Sequence, residues 1–215
     1  MTQADERKRA TRGPSPQKTS RTRERIIEVG LKQFIRTGYS ATTMDQIAAE
    51  CGFGKGTLYR YFRNKEELLL QIVSERVVGI FKEALSIPRE AGESMKAYCL
   101  RTLLPIMGTT EESGRADLAR LVLREVQTFP VLHALYHSEV YLPLQAHLRR
   151  IVELAQADGE IDPAQEAEML AHLLVSPLWF AIVHNGMLAQ DKTVDSAVLF
   201  AAQINAVFCS TTATR

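Results

Sequence analysis

An all-α fold is predicted by three features of the sequence. Apolar residues recur at helical spacing through most of the chain, strictly alternating β-branched and aromatic runs are absent, and 12 Gly and 8 Pro in 215 residues leave few turns. That length is enough for one or two domains with a real core. A composition 46% hydrophobic and 24% charged excludes a low-complexity or fibrous chain.

The elements follow in order. Residues 1–20 are polar, contain Gly13, Pro14 and Pro16, and carry Arg7, Lys8, Arg9, Arg12 and Lys18, which predicts a disordered basic tail. A first helix is expected over 22–37, with Ile26, Ile27, Leu31, Phe34 and Ile35 as its apolar stripe and Gly38 as its stop. A short second helix over 44–51 follows a capping box, in which the Thr43 hydroxyl caps the Gln46 amide and Gln46 reaches back. Gly52 ends it. The third helix covers 55–62. Asn64-Lys65-Glu66-Glu67 reads as another capping box and opens a long helix that Ile87-Pro88 terminates. Further helices are expected near 93–107, 114–128, 130–157, 163–188 and 193–209. Phe129-Pro130 and Asp162-Pro163 place Pro at first helical positions, and Pro143 is expected to kink or split its helix.

Charge is distributed unevenly. Residues 1–65 hold 14 Lys+Arg against 6 Asp+Glu, and residues 66–215 hold 12 against 19. A basic head on an acidic body predicts a polyanionic partner for the head alone. The tail does not account for all of this, since residues 21–65 still hold nine basic against four acidic residues.

The functional signal lies in TTMDQIAAECGFGKGTLYRYFRNK, residues 42–65. It describes a short helix, a tight turn at Cys51-Gly52-Phe53 and a second short helix, the sequence of a helix-turn-helix. Lys55, Thr57, Tyr59 and Arg60 are donors suited to phosphates and base edges, while Leu58 and Phe62 face inward. Gly56 would let a phosphate approach the backbone closely. Thr42, Thr43 and Lys65 lie where they could hold phosphates and set the register.

Residues 22–69 resemble the DNA-binding domain of the tetracycline-repressor (TetR) family of transcriptional regulators, through the threonine-rich start and the recognition helix KGTLYRYF. One departure is Gly54, where the family usually has a Ser cap. The resemblance implies DNA contacts from Thr42, Thr43, Lys55, Gly56, Thr57, Tyr59, Tyr61 and Lys65. It also implies a C-terminal helical domain that dimerises and holds a small-molecule pocket. The stretch LVLREVQTFPVLHALYHSEV loosely resembles one subgroup of such domains.

The expected organisation is therefore a tail at 1–20, a three-helix DNA-binding domain with the helix-turn-helix at 21–66, and a helical effector-binding and dimerisation domain at 67–215. The segments 163–188 and 193–209 carry apolar and small residues that suit a homodimer interface. Leu103, Met107, Val122, Phe129, Trp179 and His184 are the candidate pocket residues, for a largely apolar effector. The function expected is a ligand-responsive regulator, a repressor on a palindromic DNA operator; the alternative is a non-specific architectural DNA-binding protein.

Other classes find little support. His133 and His137 stand one helical turn apart, with Glu125 or His147 as a conceivable third ligand, but no second pair accompanies them and no metal is expected. Asp117, Glu125 and His133 are scattered single residues, so neither an enzyme nor a cofactor is expected. Cys51, Cys99 and Cys209 are odd in number and far apart, which suits a reducing compartment. The N-terminal charges precede no apolar segment, and the apolar stretch 169–183 is shorter than the ~20 residues of a membrane span. A cytoplasmic protein is expected.

Overall fold

The computed structural model describes residues 16–125, 129–189 and 191–208, and they are helical with no strand among them. The helices are α1 (Pro16–Thr37), α2 (Met44–Cys51), α3 (Lys55–Tyr61), α4 (Lys65–Val73), α5 (Gly79–Leu85), α6 (Met95–Gly108), α7 (Arg115–Glu125), α8 (Pro130–Tyr136), α9 (Leu142–Ala157), α10 (Ala167–Val183) and α11 (Ser196–Phe208). Three π turns interrupt otherwise continuous helices, at Ser74–Val78, His137–Tyr141 and His184–Leu188.

The head is a small helical cluster. Ile26, Ile27 and Phe34 of α1, Ile47 of α2, Leu58 of α3 and Leu68, Leu69 and Ile72 of α4 are fully buried together. Gly30 makes the closest approach. A Cβ there would meet Leu68 Cδ2 at 2.9 Å, so α1 and α4 pack closely enough that a side chain at position 30 would displace Leu68. Ion pairs reinforce the fit, Arg23 with Glu75 and Arg76 with Glu24.

Helix α1 begins at Pro16, so 16–20 are helical where a tail was expected; residues 1–15 of that tail lie outside the described residues. Pro16 is tolerated because a first-turn amide has no intrahelical partner. The 163–188 helix also starts later than expected, at Ala167. The Asp162 carboxylate accepts from the Ala164 amide at 2.9 Å, but Gln156 Nε2 donates to the carbonyls of Asp162 (3.1 Å) and Gln165 (2.8 Å). Those carbonyls are thereby held in a turn rather than released to a helix.

Pro143 sits in the first turn of α9, and the chain widens into the π turn His137–Tyr141 just before it. There the Leu142 amide donates to the His137 carbonyl. The helix thus neither stops nor breaks sharply at the proline.

In the body, α10 packs against α9, α11 and α7, and α11 packs against α6. With its π turn, α10 gives a 22-residue helix, Ala167–Leu188, long and apolar enough to cross a membrane by length and composition. That exceeds the apolar stretch read from the sequence. Here Leu170, Leu174, Leu178 and Ile182 line the body's core, while His172 and Ser176 lie exposed between them. The head joins the body where α1 meets α7 and α4 meets α8.

Candidate nucleic-acid interface

The turn between α2 and α3 is built by two caps. Thr43 N donates to Gln46 Oε1 at 2.8 Å and Gln46 N donates to Thr43 Oγ1 at 3.3 Å, which closes the expected capping box. At the other end Gly52 is left-handed (φ 73°), and the Phe53 amide returns to the Ala48 carbonyl at 2.9 Å. Helix α3 then starts from Gly54, which supplies no side-chain cap; only its carbonyl takes part, accepting from Thr57 N at 2.8 Å.

Leu58 is the one buried residue within α3. Lys55, Gly56, Tyr59 and Arg60 are exposed, Thr57 is half-buried, and Tyr61 packs partly against the core. A seven-residue helix held chiefly by one leucine and displaying two cations and a tyrosine is suited to presentation rather than to core formation. Asn64 caps α4 by accepting from Glu67 N at 2.8 Å. The second capping box differs in detail from expectation: the Glu67 carboxylate accepts from Arg63 N at 2.7 Å, one residue ahead of the cap.

The eight expected contact residues divide into two groups. Thr43, Lys55, Gly56, Thr57 and Tyr59 reach the surface around the head of α3. Thr42, Lys65 and Tyr61 are turned to internal work. Thr42 is fully buried, and its hydroxyl donates to the Gly38 carbonyl at 2.7 Å beside the Thr37 hydroxyl. Lys65 spends its three N–H donors on the carbonyls of Tyr39 (2.9 Å), Ser40 (3.0 Å) and Thr42 (3.1 Å), with its ammonium 4.5 Å from the Tyr39 ring centre. These two residues fold the 38–42 turn, because a turn leaves carbonyls that must be satisfied.

Sequence reasoning missed Asp45. Its carboxylate pairs with the Lys55 ammonium across the two short helices, and that hydrogen bond and charge hold Lys55 protonated above its ordinary range. A phosphate arriving at Lys55 must compete with this carboxylate. The signal was present as an acid at the first turn of α2 opposite the start of α3, but pairing between two helices depends on their crossing geometry.

At Gly56 an added Cβ would meet nothing within 4 Å. Gly56→Ala is therefore expected to raise stability by up to about 1 kcal/mol, since alanine is the better helix former. If a phosphate approaches the backbone there, the same variant binds DNA more weakly. Urea denaturation beside a gel shift reads both effects.

The body contains a tight, mostly apolar cavity of about 40 Å³. Val77, Phe81, Val122, Leu144 and Trp179 form its apolar walls, and Thr110, Arg115 and Tyr136 bring polar groups to it. Of the six candidate pocket residues, Val122 and Trp179 line this cavity and the others do not. Leu103 and Met107 are fully packed in the core around α6. Phe129 meets the Tyr39 ring edge-on at 4.7 Å, where the body touches the head. His184 stacks on Phe180 and hydrogen-bonds the Lys192 carbonyl at 3.0 Å. His133 and His137 stack their rings at 5.7 Å, and among the described residues no group of three metal ligands forms.

Exposed apolar side chains gather on α10 and α11. Met169 (55% exposed), Leu173 and Phe180 (51%) lie on α10, and Val198 (65%) on α11. Ala202 and Ala206 flank Pro177 and Phe180 in a shallow groove between the two helices.

Known proteins place this arrangement. Residues 26–72 match the family described as "Bacterial regulatory proteins, tetR family", and residues 100–200 match "Tetracyclin repressor-like, C-terminal domain". The chain is 26% identical over 179 residues to the transcriptional regulator UidR of Escherichia coli, covering 82% of this chain and 84% of UidR. A regulator of Bacillus subtilis, YhgD, is 51% identical over 47 residues; that match spans only 25% of YhgD and 22% of this chain. The matches to two other B. subtilis regulators, YerO and YuxN, likewise cover only 17% and 25% of those proteins. Among solved structures, Salmonella enterica GusR superposes with a TM-score of 0.67 at 23% identity, covering 88% of this chain and 96% of GusR. A Saccharomonospora viridis transcriptional regulator in complex with choline superposes at 0.68 and 20% identity, over 87% of this chain and 95% of that one.

Proposed function

As the chain belongs to the TetR family and is a transcriptional regulator, we propose that it acts as a repressor, as a homodimer on a two-fold symmetric operator, and that a small molecule in the body modulates it. The observation that carries the DNA reading is the exposed polar face of α3, anchored chiefly by Leu58. In a dimer each α3 enters a major groove, with half-sites about one helical turn, ~34 Å, or a multiple apart. Thr43, Lys55, Gly56, Thr57 and Tyr59 are the contacts we assign. Thr42 and Lys65 act beneath them by shaping the turn. Residues 21–66 form the reading head and 67–215 the regulatory body, and the protein works in the cytoplasm, where its operator is.

The exposed faces of α10 and α11 support dimerisation within 163–188 and 193–209. Large apolar side chains beside Ala202 and Ala206 let two helix pairs approach closely. The cavity beside Trp179 supports an effector site, and the choline complex of the S. viridis relative is a precedent for a small ligand on this fold. An effector shifts the operator equilibrium only through unequal affinity for the two conformers.

Footprinting on the DNA flanking the gene, with random duplex as competitor, tests the reading. A protected two-fold site that survives competition is expected. Equal affinity for any duplex would instead favour an architectural role. Lys55→Ala should weaken binding and reduce the salt slope by about one. An unchanged slope removes Lys55 from the contacts and leaves it as the partner of Asp45.

A further inference from the structure

The cavity contains a positive charge with no negative partner. Arg115 donates through Nη2 to the Ile106 carbonyl at 2.6 Å and to Thr109 Oγ1 at 2.8 Å, and among the described residues no carboxylate lies within ion-pair distance of it. Several other arginines of the body are paired. Arg101 holds Glu90 and Glu93, and Arg120 holds Glu111 and Asp117. Burial pulls the Arg115 guanidinium below its ordinary range, with no neighbouring acid to offset it.

Tyr136 faces the same space. Burial pushes its phenol well above its usual value. A half-buried guanidinium with no acid partner and a phenol hydroxyl thus face one mostly apolar space, where an acceptor that reaches both would be held. A water could serve one of them. A carboxylate accepts from both and supplies the missing charge.

Resting on the effector reading above, we propose that this cavity takes a small apolar carboxylic acid. Its carboxylate sits against Arg115 and the Tyr136 hydroxyl, and its hydrocarbon body lies against Phe81, Leu144 and Trp179. At about 40 Å³ the cavity is far smaller than such a ligand, so α7 and α10 must part to admit it. Three π turns border it. Val77 lies within one, Tyr136 immediately precedes the second, and Ile182 lies two residues before the third. Such turns are places where a helix can change register and are frequent at functional sites.

Trp179 is the chain's one tryptophan and a wall of the cavity, so its emission reports occupancy. The full-length protein is titrated with hexanoate, octanoate and decanoate and with the matching alcohols and amines, by Trp179 fluorescence and by calorimetry. We expect saturable binding of at least one acid, about tenfold or more tighter than its alcohol, as loss of a charge-assisted hydrogen bond implies, with the amine weakest. Arg115→Gln should remove the preference for acid and leave the alcohol unchanged, Arg115→Lys should keep part of it, and Ala119→Leu should fill the cavity and abolish both. Tyr136→Phe, which leaves the 109–115 turn intact, should weaken the acid several-fold and serves should Arg115→Gln fail to fold.

Equal binding of acid and alcohol, a preference that survives Arg115→Gln, or no binding of any acid overturns the proposal. The effector reading fails separately. Release from the operator by a neutral molecule would leave that reading standing without this one, and acid binding that never alters operator affinity would do the reverse.

Discussion

Leu58→Ala is expected to lower stability by about 3 kcal/mol and to remove operator binding at concentrations where the parent protein is saturated. Leu58 is fully buried in the core, and α3 contributes no other fully buried side chain. Truncation therefore deletes most of that helix's own core packing and leaves a cavity, for which leucine-to-alanine changes cost roughly 2–5 kcal/mol. If the loss falls on docking of α3, 3 kcal/mol corresponds to on the order of 100-fold in affinity. Leu58→Met, close in volume, should cost under about 1.5 kcal/mol and retain binding. Urea denaturation and a gel shift measure the two effects. Normal operator affinity in Leu58→Ala would mean that α3 is held from outside its own sequence.

Gly186→Ala should cost about 2 kcal/mol, through an arginine distant in sequence. A Cβ at position 186 would fall inside van der Waals contact of Arg120 Nε and Cδ. The Arg120 side chain is 12% exposed and donates to the Ile182 carbonyl at 2.8 Å, to Asp117 at 2.8 Å and to Glu111 at 2.7 Å. Asn185 Nδ2 adds a hydrogen bond to Glu111 at 3.0 Å and ties in the Val194 carbonyl at 2.9 Å. The arginine can swing away only by giving up its hold on Ile182 at the end of α10, and hydrogen bonds to a charged group are worth about 1.5–3 kcal/mol each. In an Arg120→Ala background Gly186→Ala should cost almost nothing. Thermal melts of the four proteins give the coupling energy, and additive losses would show that the two positions act independently.

The reading head was legible because its signals are local. Caps at Thr43 and Asn64, the glycine at 52 and the position of Leu58 each act within a few residues of the chain. The internal bonds of Lys65 were not legible: its ammonium meets carbonyls 23 to 26 residues away, and spacing along the chain carries no record of that turn. The cavity suffered in the same way. Val122 and Trp179 line it, but the apolar residues Leu103 and Met107 lie elsewhere on well-packed helices, and Arg115 and Tyr136 were not singled out. Helical periodicity marks the inward face of each helix; which inward faces leave a gap is decided by how the helices cross. The start assigned at Asp162-Pro163 failed because Gln156, on the preceding helix, captures the carbonyls of that turn.

One apolar core runs from Ile26 in α1 to Phe208 at the end of α11, without a polar layer dividing head from body. Leu68, Leu69, Ile72 and Val73 belong to the head's packing and also begin the helix that leads into the body. Head and body are therefore expected to melt as one cooperative unit. Whatever holds either end withdraws the whole chain from unfolding, so an operator fragment on α3 should slow hydrogen exchange even at the amides of α10 and α11 that open only through global unfolding.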